Sequence, residues 1–179
     1  RNKRRRNPVF LVMANIRSEF DTLVHALAPE LFRYAMGLCH NPHTAEDLVQ
    51  ETFLRGWRSR TDLRDSKAAK AWLYTILRNE HARLYERQRP EACDPSMLPD
   101  IPDHGYDTSA EAFVLRRALA TLQADYRDPL LLQVIGGFSC REIGDILELN
   151  TNTVLTRLFR ARKALRDLLT DDLQQEASL

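Results

Sequence analysis

Apolar residues recur at helical spacing along most of this chain. From Phe20 to Cys39, Thr44 to Arg58 and Ala68 to Arg89 they return every three or four positions, which predicts three helices. Asn41-Pro42 predicts a turn between the first two, and a polar loop running to about Ser66 joins the second to the third. Pro90, Pro95, Pro99 and Pro102 then rule out helix across the stretch that follows. Beyond them Ser109 to Leu122 and Arg127 to Ile135 predict two further helices, which lead into two amphipathic helices around a polar turn. The predicted class is all-α.

That last pair carries the strongest local signal. Ser139 and Glu142 stand three apart, as a capping box requires, and Ile143, Ile146 and Leu147 make the apolar stripe of the helix they open. Asn150, Thr151 and Asn152 break the pattern, asparagine being tolerant of the left-handed conformation a turn needs. In the next helix Val154, Leu158, Ala161, Leu165 and Leu168 share one face, while Asn152, Thr156, Phe159, Arg160 and Lys163 lie opposite, flanked by Arg157 and Arg162. The outward set combines cations for phosphates or guanine with groups that can touch a base edge or a thymine methyl. That is the chemistry of a helix-turn-helix reading the major groove.

Charge sharpens this picture. The net charge is only +1, but Arg55 to Arg89 holds ten Lys or Arg against four acids, and Asn152 to Arg166 five against none. Glu91 to Glu111 has six acids and no cation, and Asp167 to Leu179 has four and none. Two basic blocks separated by an acidic spacer imply two nucleic-acid contacts. The 179 residues suffice for two cores of modest size. Three cysteines without a CxxC give neither a disulfide framework nor a zinc ribbon, and a reduced cytoplasm suits them. Cys39, His40 and His43 lie close together, but a fourth ligand is missing and Pro42 interrupts them, so they read as a solvated helix end rather than a metal site. No cofactor motif or catalytic constellation is present, which leaves an enzyme reading without support. The basic N-terminus and its apolar stretch are too short for a signal peptide, and Met13 is a candidate start.

The helix from Ala45 to Arg58 is the second informative place. Ala45, Leu48, Val49, Thr52, Phe53 and Gly56 share its inward face, and Asp47, Gln50, Glu51, Leu54 and Arg58 its outward one. An outward leucine ringed by acids and amides has the layout of a protein-docking patch.

In order, AEDLVQETFLRGWR, AWLYTILRNEHARLYERQRP, an acidic proline-rich linker and FSCREIGDILELNTNTVLTRLFRARKALR resemble a bacterial extracytoplasmic-function sigma factor of the sigma-70 family, over nearly everything after Ser18. The resemblance implies two small helical domains joined by an acidic flexible linker. The first, 18–90, is similar to sigma region 2, which binds core RNA polymerase and the minus-ten element. Residues 91–108 are the linker, and 109–170 are similar to the sigma region 4 helix-turn-helix that binds the minus-thirty-five element. Residues 1–17 remain as an extension open to disorder, and 171–179 as an acidic tail. By position, Asp47, Gln50, Glu51 and Leu54 would meet core polymerase through its beta-prime coiled coil, the beta subunit being the other polymerase partner. Trp72, Tyr74, Arg78, Asn79, Arg83 and Arg87 would face the minus-ten DNA, although Trp72 suits the core equally well. Asn152, Thr153, Thr156, Arg157, Phe159, Arg160, Arg162 and Lys163 would face the minus-thirty-five element. The loop from Ser59 to Lys67 resembles the one that captures a flipped base. An anti-sigma factor is implied as a partner that restrains the protein until a stress signal. The chain departs from the pattern at Leu155, where Lys or Arg is usual, at Asn152, where glycine is, and at Glu86, which interrupts a basic run. The alternatives are a stand-alone helix-turn-helix regulator and a sigma-mimicking adaptor that titrates an anti-sigma factor.

Overall fold

The computed structural model describes residues 8–59, 68–88 and 109–176, and among these it contains helices and no strand. Helices α1 (Pro8–Cys39), α2 (Pro42–Arg58) and α3 (Ala69–Gln88) form one half. Helices α4 (Ala110–Thr121), α5 (Ala124–Val134), α6 (Cys140–Leu147) and α7 (Thr151–Glu176) form the other. The predicted elements are all present, and two are longer than expected. Helix α1 begins at Pro8, so it takes in much of the span read as an extension, a stretch with no glycine or internal proline to interrupt it. Helix α7 runs to Glu176 and so takes in most of the acidic tail. The linker at 91–108 lies outside the described residues.

Local chemistry explains how each half turns. The α1–α2 corner passes through His40 in the left-handed region (φ 54°), and Asn41 then caps α2, its Oδ1 accepting from the Thr44 amide at 3.0 Å. Pro42 follows at the first helical position, where a missing N–H costs nothing. In the second half the capping box forms as predicted: the Ser139 amide donates to Glu142 Oε2 at 2.8 Å, and Ser139 Oγ accepts from the Glu142 amide. The left-handed turn residue after α6 is Glu148 (φ 57°), not one of the asparagines. The reason is local: the Leu149 amide returns to the Gly144 carbonyl at 2.8 Å, and a Cβ on Gly144 would sit 2.6 Å from the Leu149 oxygen. Asn150 instead caps α7 through the Thr153 amide.

The two halves do not keep separate cores. Tyr74 of α3 packs edge-on against Phe138 of the α5–α6 turn and at a tilt against Tyr34 of α1, with ring centroids 4.9 Å apart in both pairs. Leu131 of α5 presses on α1 at Gly37, where an added Cβ would lie 2.7 Å from the leucine methyl. One continuous buried cluster therefore runs from Leu31 and Leu73 to Ile143, Val154 and Leu158. Beside this apolar seam lies a polar one. Arg127 Nη1 is 3.1 Å from His40 Nε2, and Arg78 Nε is 4.0 Å from Asp128 Oδ2. Tyr34 Oη, Arg78 Nε and Arg127 Nε are buried there with no hydrogen-bond partner, a cost of about 1–3 kcal/mol for each such group. Burial, with Arg127 adding to it, pulls the His40 and His81 imidazoles down to about 4. Burial also pushes the Asp128 carboxyl up, against the pull of Arg127 and Arg78.

Candidate nucleic-acid and protein-docking surfaces

Helix α2 buries Ala45, Leu48, Val49, Thr52 and Gly56 and turns the predicted docking residues outward. Thr52 is tolerated inside because its hydroxyl donates to the Leu48 carbonyl at 2.6 Å. Asp47 and Gln50 are exposed, Glu51 is half-buried, and Leu54 keeps 51% of its surface in solvent. The exposed edge of α2 is a ridge between two grooves. On one side Gln50 and Leu54 join Phe20, Phe53 and Trp57 around an apolar groove of about 580 Å³. On the other, Asp47 and Glu51 line a charged groove of about 320 Å³ with Arg55, Glu80 and Arg83.

The residues proposed on α3 separate into an outer and an inner set. Asn79 and Arg83 are exposed, and Trp72 is half-buried; all three line a groove of about 480 Å³. Arg55 and Arg58 of α2 complete that groove. Neither was assigned to it from sequence, although both belong to the basic block that begins at Arg55. Glu80, nearly buried, holds the basic edge in place by accepting from Arg55 at 3.0 Å and Arg83 at 2.9 Å. Tyr74 corrects the expectation of a base-stacking aromatic. It is fully buried, and its hydroxyl donates to Glu30 at 2.6 Å. Helical spacing puts it with Leu73 and Leu77 on the core side, so its ring cannot reach a base from this position. Arg78 is half-buried and turned toward Asp128 of the second half. The side chain of Arg87 lies outside the described residues, as does most of the loop from Ser59 to Lys67.

On α7, Val154, Leu158 and Ala161 are buried, as the apolar spacing predicts, while Asn152, Thr156, Phe159, Arg160, Arg162 and Lys163 are exposed. Phe159 keeps 70% of its surface in solvent, unusual for a large apolar ring. Thr153 is half-buried, its amide and hydroxyl both bonded to Asn150 Oδ1. The two flanking arginines are engaged within the protein: Arg157 pairs with Asp125 at 3.3 Å, and Arg162 donates to Gln133 at 2.5 Å. A groove of about 590 Å³ between α5 and the start of α7 is lined by Asn150, Asn152, Thr156 and Arg160 among others. Cys39 and His40 are used locally, the thiol donating to the Asn41 carbonyl and the imidazole facing Arg127. No helix among the described residues is long and apolar enough to cross a membrane.

Comparison with known proteins bears on both halves. Residues 23–91 match the family model for sigma-70 region 2, and residues 112–165 that for sigma-70 region 4. The chain is 34% identical over 150 residues to the ECF RNA polymerase sigma factor EcfG of Rhodopseudomonas palustris, covering 82% of this chain and 83% of that protein. It is also 34% identical over 167 residues to the ECF RNA polymerase sigma factor SigE of Mycolicibacterium smegmatis, covering 88% of this chain but 64% of that longer relative. Among solved structures, the sigma factor RpoE of Bartonella quintana, in complex with the anti-sigma factor NepR, superposes with a TM-score of 0.71 at 31% identity. That match spans 84% of this chain and 96% of the other, so it takes in both halves together.

Proposed function

The chain belongs to the extracytoplasmic-function group of the sigma-70 family, RNA polymerase initiation factors rather than enzymes, and we propose how its surfaces divide that work. The α2 ridge, Asp47, Gln50, Glu51 and Leu54, docks on core RNA polymerase at the beta-prime coiled coil. The groove of Trp72, Asn79 and Arg83, with Arg55 and Arg58, follows the minus-ten DNA, arginines on phosphates and the indole edge on an unpaired base. Arg87 belongs to the same DNA-facing set by its place in the sequence motif, Arg78 is held toward Asp128 and joins that set only if this contact opens, and Tyr74 serves the edge from inside by holding α3 on α1. Helix α7 enters the major groove of the minus-thirty-five element. Asn152, Thr156, Phe159, Arg160 and Lys163 face the DNA, and Thr153, Arg157 and Arg162 border that face. The protein works in the cytoplasm, where an anti-sigma factor restrains it until a stress signal. The solved relative bound to NepR supports that part of the reading.

The observation that carries the proposal is Leu54, half exposed at the centre of a polar ridge where folding alone would favour a polar residue. Leu54→Asp is expected to weaken core-polymerase binding about thirtyfold or more, as loss of an interface anchor does. Its folding stability should stay within about 0.5 kcal/mol of the parent, as for other surface substitutions. Pull-down on core enzyme, promoter-dependent transcription in vitro and thermal melting measure the three quantities. An unfolded variant would show that Leu54 is core. Tight binding of the parent to a palindromic site without polymerase would make the protein a regulator instead.

A further inference from the structure

Helix α7 exposes an apolar residue that no role has yet absorbed. Leu155 keeps 51% of its surface in solvent, one turn before the still more exposed Phe159. At about 100° per residue, Asn152, Leu155, Thr156, Arg162, Lys163 and Arg166 fall within about 60° of Phe159, whereas Arg160 lies about 100° away and Arg157 farther still. The centre of the exposed face is therefore divided along its length. Of these residues, the N-terminal ones, Asn152, Leu155, Thr156 and Phe159, include no cation, while the C-terminal ones include Lys163 and Arg166, with Arg162 at the edge bonded to Gln133.

Hydrogen bonding makes the N-terminal half still less polar. The Thr156 hydroxyl donates to the Asn152 carbonyl at 2.9 Å, so its proton is already used. In a helix lying in the major groove, the N-terminal residues meet base edges while cations farther along meet phosphates. The major-groove base group that an exposed leucine and phenylalanine complement is the C5-methyl of thymine. A docked protein helix would need no run of fifteen residues, Asn152 to Arg166, free of acids around the patch; DNA does.

We propose that Leu155 is a specificity-determining residue of the reading helix, packing beside Phe159 on the 5-methyl group of a thymine in the minus-thirty-five element. This rests on the reading that α7 enters that groove, so the experiment separates the two. Full-length protein with core polymerase is assayed on a synthetic promoter in which each thymine of the element is replaced singly by deoxyuridine, which removes only the methyl. At one or two positions the parent should lose about fourfold in affinity, roughly the worth of one buried methyl group. Leu155→Ala should bind the unmodified promoter correspondingly less well and show no further loss with deoxyuridine at those positions. Leu155→Lys should lose the same methyl sensitivity while steepening the salt dependence by about one phosphate contact.

If the parent and Leu155→Ala respond alike to deoxyuridine at every position, the proposal is overturned. Arg160→Ala is the control for the underlying reading. If it weakens promoter binding while the methyl responses stay alike, only Leu155 loses its role. If neither variant changes binding to the element, α7 is not the reader and both fall. Leu155 is exposed, so unchanged melting of its variants is expected, and melting is recorded to exclude a folding defect.

Discussion

Tyr74 illustrates how one side chain joins the packing of this molecule to its surfaces. Its ring lies between Tyr34 and Phe138, and its hydroxyl donates to a Glu30 carboxylate that also accepts from Lys70 at 2.6 Å. Burial, together with that carboxylate, raises the phenol well above its ordinary range, so it remains a neutral donor. Tyr74→Phe keeps the ring and removes the donor. Because Lys70 still compensates Glu30, a loss of about 1–2 kcal/mol is expected, visible in thermal or denaturant melting. Promoter opening per folded molecule should be unchanged, as measured by permanganate reactivity of the melted bases. A selective loss of opening with stability intact would return Tyr74 to the DNA-facing set. Trp72, two residues earlier, was open to either environment in the sequence, and it lies at the boundary, half-buried beside Asn79 and Arg83.

At the level of elements, the helix ends were the most legible features, because caps depend on residues three apart in sequence. Ser139 and Glu142 predicted the start of α6, and the full reciprocal box is there. Its hydrogen bonds to Ser139 hold the Glu142 carboxyl below its usual value. A carboxylate depressed on folding contributes stability that is present above its unfolded pKa and is lost as pH falls through the folded one. Ser139→Ala is therefore expected to destabilise the second half by about 1 kcal/mol at neutral pH. It should also reduce the decline on acidification through the carboxylate range. Melting of parent and variant from pH 7 to pH 3 tests both, and parallel curves would show that the cap does not set the acid response. The turn after α6 was less legible. Asparagine propensity pointed to Asn150 to Asn152, but the close approach of Leu149 to Gly144 assigns the left-handed residue to Glu148.

At the scale of the whole molecule, the halves are held by an apolar seam, Tyr74 on Phe138 and Leu131 on Gly37, and burdened by a polar one. His40 from the α1–α2 corner, His81 from α3 and Arg127 from α5 meet in that polar seam, with Arg78, Asp128 and Tyr34 around them. Both imidazoles titrate at about 4 in the folded protein against 6.5 outside it. Between those values the unfolded chain binds more protons, so stability should fall as pH drops from about 6.5 toward 4. Asp128, pushed up by burial, works in the opposite sense, since protonation relieves it. Comparing the parent with His81→Gln isolates one imidazole, because Asp128 is common to both. His81→Gln is expected to flatten the dependence of melting temperature on pH in that window; an unchanged slope would mean that the seam does not govern it.

Helix positions, the exposed ridge of α2 and the outward face of α7 follow from the sequence alone, because each depends on periodicity within one helix and on caps a few residues apart. The sigma-70 likeness was legible for the same reason, its motifs being contiguous stretches in a set order. The contents of the seam between the halves could not be read that way. Tyr74 against Phe138, Arg78 against Asp128 and His40 against Arg127 join residues 64, 50 and 87 positions apart, and no local pattern encodes which distant surface an exposed-looking residue will meet. Only the tertiary structure decides that Tyr74 is core, that Arg55 and Arg58 complete the basic groove of α3, and that Arg157 and Arg162 are held by neighbours. Each of these follows from the packing of one helix on another, which a single helix's sequence does not contain.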